Sequence, residues 1–314
     1  MMKTLYFDCS MGAAGDMLTA ALLDLFDDPA PLVRELNHAF AGRAVLTLLP
    51  DQKCGISGKH VRVEIEGEVE GEEDSHHHHH HHHHTSLTEV RSFLSCLPLS
   101  KAVIADALAV YDRIAAAEAQ VHGKEISNIH FHEVGSLDAM ADVVSVCFLI
   151  RRLNPEQILA SPVHVGSGTV RCAHGELPVP APATLLLLKD IPVYSSDVQE
   201  ELCTPTGAAL LGHFVSRFGN LPLMRVSGIG YGTGFKDFQR ANILRALLGD
   251  TDESPEQVVE LSCNLDDMTA EELAFAQERL FAAGALDVWF TSIGMKKSRP
   301  GVMLTCVSRP DDRD

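Results

Sequence analysis

The chain has 314 residues and a formal net charge of −18, from 43 Asp plus Glu against 25 Lys plus Arg. That length sustains a hydrophobic core without disulfide staples and suggests about two domains. The acidic balance argues against nucleic acid or an anionic membrane as the main partner. No apolar run is long enough to span a bilayer, and eight scattered cysteines without a CxxC pair fit a reduced cytoplasmic protein without a zinc ribbon. Seventeen histidines are present, nine of them consecutive over 76–84.

Residues 3–8 (KTLYFD) read as a short buried strand and not as a secretion signal. A turn of small residues follows over 9–16, then helical apolar spacing over 17–26, a plan shared by many phosphate sites. A second helix is expected near 32–40, and the alternation over 44–49 and 59–66 predicts strands. Residues 66–75 are acidic and run into the histidine tract; having nothing to bury, this loop is expected to be disordered. Helices are expected from Ser86 or Thr88 and over 100–121, the second with an apolar face of Val103, Ile104, Ala107, Leu108, Tyr111 and Ile114.

Further along, 129–134 predicts a strand, 138–151 a buried helix and 158–165 a strand. Residues 166–175 read as a Gly-rich polar loop before the prolines at 178, 180 and 182 and a short helix at 183–188. Residues 206–218 read as helix, 228–234 as a loop because four of seven residues are glycine, and 243–247 as strand. Linker composition at 250–255 places a domain boundary near 252. Beyond it the expected order is strand 257–263, helix 270–283 with a Thr269/Glu272 capping box, strand 286–293 and strand 302–308.

The sharpest chemical constellation lies over 130–142. His130 and His132 share a strand face, with Glu133 next after them; Asp138 and Asp142 share a helix face one turn apart. Two imidazoles with carboxylates suit Ni, Zn, Mn or Fe, and Glu118 with His122 could join them. The plainer alternative is a capped helix with surface histidines. Asp8 and Asp16 flank the Gly12/Gly15 turn, which is either an anion or Mg²⁺ site or simply a tight strand-to-helix turn. His164 and His174 belong to a loop stiffened by proline, suited to presenting a histidine, and Thr204 to Gly207 begin a helix with hydroxyls. Near the C-terminus, Asn264, Asp266 and Asp267 offer hard oxygen ligands, while Lys296, Lys297 and Arg299 form a basic loop. Acidic turn plus basic loop is what a metal–nucleoside triphosphate needs. No Walker motif occurs, so a P-loop nucleotidase is disfavoured. The tract, with His76, His80 and His84, favours Ni²⁺, Cu²⁺ and Zn²⁺, or is a polar spacer.

Taken in order, DCSMGAAGDM (8–17), the His-rich insertion, HFHEVGSLDAMAD (130–142), HGELPVPAPAT (174–184), CTPTGAALL (203–211), GIGYGTG (228–234), NLDDMTAEEL (264–273) and MKKSRPGVMLT (295–305) resemble the LarC-type nickel-insertion family. The resemblance implies a nickel insertase, a lyase-type chelatase or cyclometallase. Nickel(II) enters pyridinium-3,5-bisthiocarboxylic acid mononucleotide, forming carbon–nickel and sulfur–nickel bonds of the nickel-pincer cofactor of lactate racemase. CTP is consumed to CMP and diphosphate with Mn²⁺ or Mg²⁺. It also implies that the C-terminal part binds CTP. By physical role Asp266 and Asp267 then hold the divalent ion beside Asn264, with Lys296, Lys297 and Arg299 on phosphate oxygens. The family does not assign the nickel ligands. His130, His132, Glu133, Asp138 and Asp142 are the candidates, with Glu118, His122 and the tract, and Asp8, Asp16 and His174 are the catalytic candidates.

The expected fold class is α+β. A mixed α/β N-terminal metal and substrate domain covers 1–252, its His-rich loop 66–86 disordered, and an incomplete α+β CTP-binding unit covers 253–314. Family members continue beyond the MKKSRPG segment, so the chain is expected to be C-terminally shortened. Expected partners are the small-molecule nucleotide, the lactate racemase apoprotein and a second copy of the chain, with neither nucleic acid nor membrane. The competing reading is a non-catalytic nickel metallochaperone or store, whose sites would be lost with the histidine tract.

Overall fold

In the computed structural model, which describes residues 1–65, 68–69, 85–131, 134–172, 175–251 and 258–312, the chain divides into two compact units, Met1–Asp252 and Glu253–Asp314. The first unit begins with β1 (Met2–Asp8), α1 (Gly15–Leu23), α2 (Ala30–Phe40), the hairpin β2 (Ala44–Lys53) and β3 (Ile56–Ile65), and β4 (Glu68–Val69). Next come β5 (Thr85–Ser86), α3 (Leu87–Ser95), α4 (Lys101–His122), β6 (His130–Phe131) and α5 (Leu137–Leu153). They are followed by β7 (Gln157–Ala160), β8 (Val163–His164), β9 (Thr169–Cys172), β10 (Gly175–Pro178), α6 (Pro182–Leu187) and β11 (Val193–Tyr194). The unit closes with α7 (Pro205–Phe214), β12 (Arg217–Phe218), β13 (Met224–Thr233) and β14 (Ile243–Thr251).

A mixed sheet runs β12-β7-β1-β14-β13-β3-β2, with β4 beside β3. β1 lies in its interior, antiparallel to β14 and parallel to β7. The apolar run of β1 explains that place: Leu5 and Phe7 enter the core with Val61 and Val63 of β3. α1 and α5 pack on this face and are buried almost throughout, as their continuous apolar sequences require. α4 ends at Gly123 and α5 at Asn154, both left-handed, a conformation that costs glycine nothing and asparagine little.

Five sequence expectations give way to packing. Residues 228–234 are no loop; they lie within β13. A Cβ on Gly230 would stand 1.9 Å from the Ala21 carbonyl oxygen, and one on Gly232 1.9 Å from that of Met17. These glycines let the α1 backbone lie directly on the strand, so their role is close approach and not turning. Of the polar loop expected over 166–175, residues 169–172 form β9, which pairs antiparallel with β10. The expected strand 158–165 is two, β7 and β8, separated at Ser161 and Pro162. The expected helix 206–218 stops at Phe214, and β12 follows. Within 129–134 the strand is confined to His130–Phe131, pairing with β5; residues 132 and 133 lie outside the described residues.

The second unit comprises β15 (Val259–Leu265), α8 (Ala270–Ala282), β16 (Asp287–Met295) and β17 (Arg299–Ser308). β17 is central and antiparallel to both neighbours. Val288, Leu304 and Cys306 form a small core, covered by Ala276 and Leu280 of α8. The Thr269/Glu272 capping box closes the α8 N-terminus as the sequence predicts. The molecule is α+β. Among the described residues no helix is long and apolar enough to cross a membrane.

Candidate functional site

A cleft of about 340 Å³ opens in the first unit where the start of α1, the start of α5, the segment leading into α7 and the loop after β13 converge. Its lining includes four carboxylates, Asp16, Asp138, Asp142 and Glu201, and one amine, Lys236. α1 delivers Asp16 from its first turn; α5 delivers Asp138 and Asp142 from one face, four residues apart. Glu201 pairs with Gly166 in an isolated bridge, and its neighbour Leu202 accepts from the Ala13 N–H at 3.0 Å.

The glycines of the small-residue turn are used for internal contact. A Cβ on Gly12 (φ +82°) would fall 1.9 Å from the Leu202 carbonyl oxygen. One on Gly15 would stand 2.5 Å from Asp142 Oδ2, so the start of α1 presses on that carboxylate. At the neighbouring helix, Thr204 Oγ1 accepts from the Gly207 N–H at 3.2 Å and lies 3.0 Å from Thr206 Oγ1. A Cβ on Gly207 would lie 2.1 Å from the Ala13 carbonyl oxygen.

Burial pushes the Asp16 carboxyl above its ordinary value, against the Met17 N–H and the nearby His60, which pull it down. Tyr111 lies fully buried beneath the site, its hydroxyl donating to the Val134 carbonyl at 3.0 Å. Burial first, then Asp138 and Asp142, hold its phenol well above the usual range. Lys236 bonds Glu200 at 2.6 Å, and its carbonyl accepts from the Asn242 amide at 2.9 Å. The buried Lys53 ties the same loop to the β2–β3 hairpin, donating to Asp237 at 2.7 Å and to the Phe235 carbonyl at 3.1 Å.

The fold thus brings Asp16, Asp138 and Asp142 together and leaves other sequence candidates elsewhere. Asp8 ends β1 paired with Arg245 and accepts from the Ser10 N–H at 3.0 Å. Burial raises its carboxyl, but the bonds from Arg245 and Ser10 outweigh that and hold it below the usual range. Glu118 and His122 pair with each other at 3.4 Å at the end of α4. His130, exposed on β6, is not part of the cleft lining. His164 is buried, its Nε2 2.8 Å from Ser196 Oγ. His132, Glu133, His174, His76, His80 and His84 lie outside the described residues. Among the described residues no three His, Cys, Asp or Glu side chains stand close enough together to hold a metal ion. Glu201, Lys236 and Asn242 were not singled out by the sequence. The only hint is adjacency: Glu201 just precedes CTPTG, and Lys236 follows GIGYGTG.

In the second unit the acidic turn and the basic loop occupy one end of the sheet. Leu265, just before Asp266 and Asp267, pairs with Val302, and Met295, just before Lys296, pairs with Arg299. Asn264, Asp266, Asp267, Lys296, Lys297 and Arg299 are all exposed, and Lys297 is left-handed (φ 64°). The acidic and the basic residues thus share one end of this small sheet.

A family model described as nickel insertion protein matches residues 5–314. The chain is 41% identical over 313 residues to a pyridinium-3,5-bisthiocarboxylic acid mononucleotide nickel insertion protein of Desulfitobacterium hafniense, covering 97% of this chain and 74% of that one. It is 42% identical over 318 residues to the protein of the same description from Clostridium kluyveri, covering 100% and 79%. Among solved structures it is similar to LarC2, the C-terminal domain of a cyclometallase involved in the synthesis of the NPN cofactor of lactate racemase, in apo form. That match is 46% identical over 18% of this chain and 40% of the other, with a TM-score of 0.18.

Proposed function

The chain belongs to the nickel insertion protein family, and from that membership we propose that it inserts nickel(II) into pyridinium-3,5-bisthiocarboxylic acid mononucleotide, with CTP consumed, to give the nickel-pincer cofactor. The observation that carries the reading is the acidic cleft, where three carboxylates of the DCSMGAAGDM and HFHEVGSLDAMAD motifs meet. Asp138 and Asp142 are assigned to the arriving nickel, with His130, His132 and Glu133 as delivering donors. An incomplete protein ligand set suits a cargo ion, because the substrate's own sulfur and carbon atoms must finish the coordination.

Forming the carbon–nickel bond releases the ring proton. Asp16 is the assigned acceptor, since it lines the cleft and burial raises its proton affinity. Asp8 and His174 take supporting roles in this reading, Asp8 by fixing the end of β1 through Arg245. In the second unit Asp266 and Asp267, with Asn264, would hold Mn²⁺ or Mg²⁺, and Lys296, Lys297 and Arg299 the phosphates of CTP, which supplies the driving cleavage to CMP and diphosphate. All eight cysteines are free, which supports a reducing, cytoplasmic setting. A homo-oligomer and hand-over to the lactate racemase apoprotein complete the proposal.

The test separates the two units. Asp138→Asn/Asp142→Asn is expected to stop nickel insertion, and Lys296→Ala/Lys297→Ala to stop CTP consumption, each read by mass spectrometry of substrate and nucleotide. Normal insertion by the first variant would remove the cleft from the mechanism; normal CTP consumption by the second would remove the basic loop. Loss of all bound nickel on deleting 76–84, with no product formed by the intact chain, would favour the storage reading.

A further inference from the structure

The cleft's charge balance is at odds with the substrate assigned to it. Four carboxylates and one amine line it, yet the mononucleotide carries thiocarboxylates and a phosphate. An acidic cleft attracts nickel and repels such an anion unless one point in it is locally positive. Lys236 is that point, and its surroundings are built for the task. One bond fixes its own backbone, the Asn242 amide to the Lys236 carbonyl at 2.9 Å, and two hold the residues before it, the Gly234 N–H to the Asn242 carbonyl at 3.0 Å and Lys53 Nζ to the Phe235 carbonyl at 3.1 Å. Lys236 lines the cleft, and its half-exposed ammonium group lies 2.6 Å from the somewhat less exposed carboxylate of Glu200. A fixed base with an accessible head, already holding an anion that can swing into solvent, is an exchangeable anion site.

We propose that Lys236 is the substrate-positioning cation of the cleft: it takes the phosphate of the mononucleotide in exchange for Glu200. The phosphate is the end it takes because a compact, strongly hydrated ammonium suits a dianionic oxyanion. The sulfurs are needed by nickel at the carboxylates. This inference rests on the cleft being the substrate site. Lys236 positions the substrate and takes no part in bond making.

Isothermal titration of the full chain with ribose 5-phosphate, and separately with pyridine-3,5-dicarboxylate, distinguishes the two ends of the substrate. Lys236→Ala is expected to weaken ribose 5-phosphate binding about tenfold, the effect of one partly exposed charge-assisted bond. Lys236→Arg should restore binding, and Glu200→Gln should strengthen it by freeing the amine. In turnover, Lys236→Ala should raise KM for the mononucleotide at unchanged kcat and lower the salt dependence of binding. Unchanged phosphate binding in Lys236→Ala, or loss of dicarboxylate binding instead, would overturn the proposal. If the wild-type chain forms no nickel product while the phosphate pattern holds, the reaction reading fails and the anion site stands.

Discussion

The contact between Gly15 and Asp142 makes Gly15→Ala an informative substitution. The new Cβ would stand 2.5, 2.6 and 2.8 Å from Asp142 Oδ2, Cβ and Cγ, where carbon contacts normally sit at about 3.5–4.0 Å. Asp142 is buried on α5, so it cannot simply swing into solvent, and α1 or α5 must shift. Overpacking of this kind costs about 1–3 kcal/mol, offset by about 0.5–1 kcal/mol from the lower chain entropy of alanine. A net loss of about 1–2 kcal/mol is expected, lowering Tm by about 2–8 °C. Differential scanning calorimetry on a double-mutant cycle isolates the cause. In the Asp142→Gly background both the carboxylate and the obstructing Asp142 Cβ are gone, and Gly15→Ala should cost nothing further. An equal cost in both backgrounds would refute the claim that α1 presses on this carboxylate.

Three further outcomes follow from neighbouring observations. Asp16→Asn should abolish nickel insertion yet raise stability at neutral pH. A carboxyl whose folded value is raised stabilises the fold only when protonated, and that contribution is lost as pH rises through the folded value; thermal denaturation at several pH values checks the sign. Asp106 is buried on α4 and bonds Arg151 at 2.6 and 2.9 Å and His213 at 3.1 Å, joining three helices. Burial raises its carboxyl, but these partners outweigh that and hold it below the ordinary value. Asp106→Asn should therefore cost about 1–3 kcal/mol above pH ~4, with the difference from wild type closing as pH falls through the lowered value. Gly232→Ala would drive a Cβ to 1.9 Å from the Met17 carbonyl oxygen, and urea unfolding should show a loss of about 3 kcal/mol or more. A neutral result would mean that α1 does not lie on β13.

The helices were legible because their signals are local. Apolar spacing marks α4 and α5, and Ser86 and Thr269 announce helix starts as N-caps. The glycines of β13 misled because composition reports conformational freedom, whereas here glycine is needed for a partner more than 200 residues away in the chain to come close. The candidate site was half legible for a similar reason. Asp138 and Asp142 share a face by helical geometry alone, and Asp16 sits at a recognisable strand-to-helix turn. Glu201, Lys236 and Asn242 join them only through the fold, since no local pattern links positions 16, 142, 201 and 236. Histidine spacing grouped His130 with the carboxylates, but β6 pairs with β5 and leaves that imidazole exposed and outside the lining.

The central claim is nickel insertion coupled to CTP. Purified chain is incubated with nickel(II), Mn²⁺ and the bisthiocarboxylate mononucleotide, with and without CTP, and the nucleotide pool is weighed by mass spectrometry. The account predicts a product heavier than the mononucleotide by one nickel less the displaced protons, only in the presence of CTP, together with CMP and diphosphate. Nickel retained by the protein with the mononucleotide unchanged in both reactions, or an equal yield of product without CTP, would contradict it.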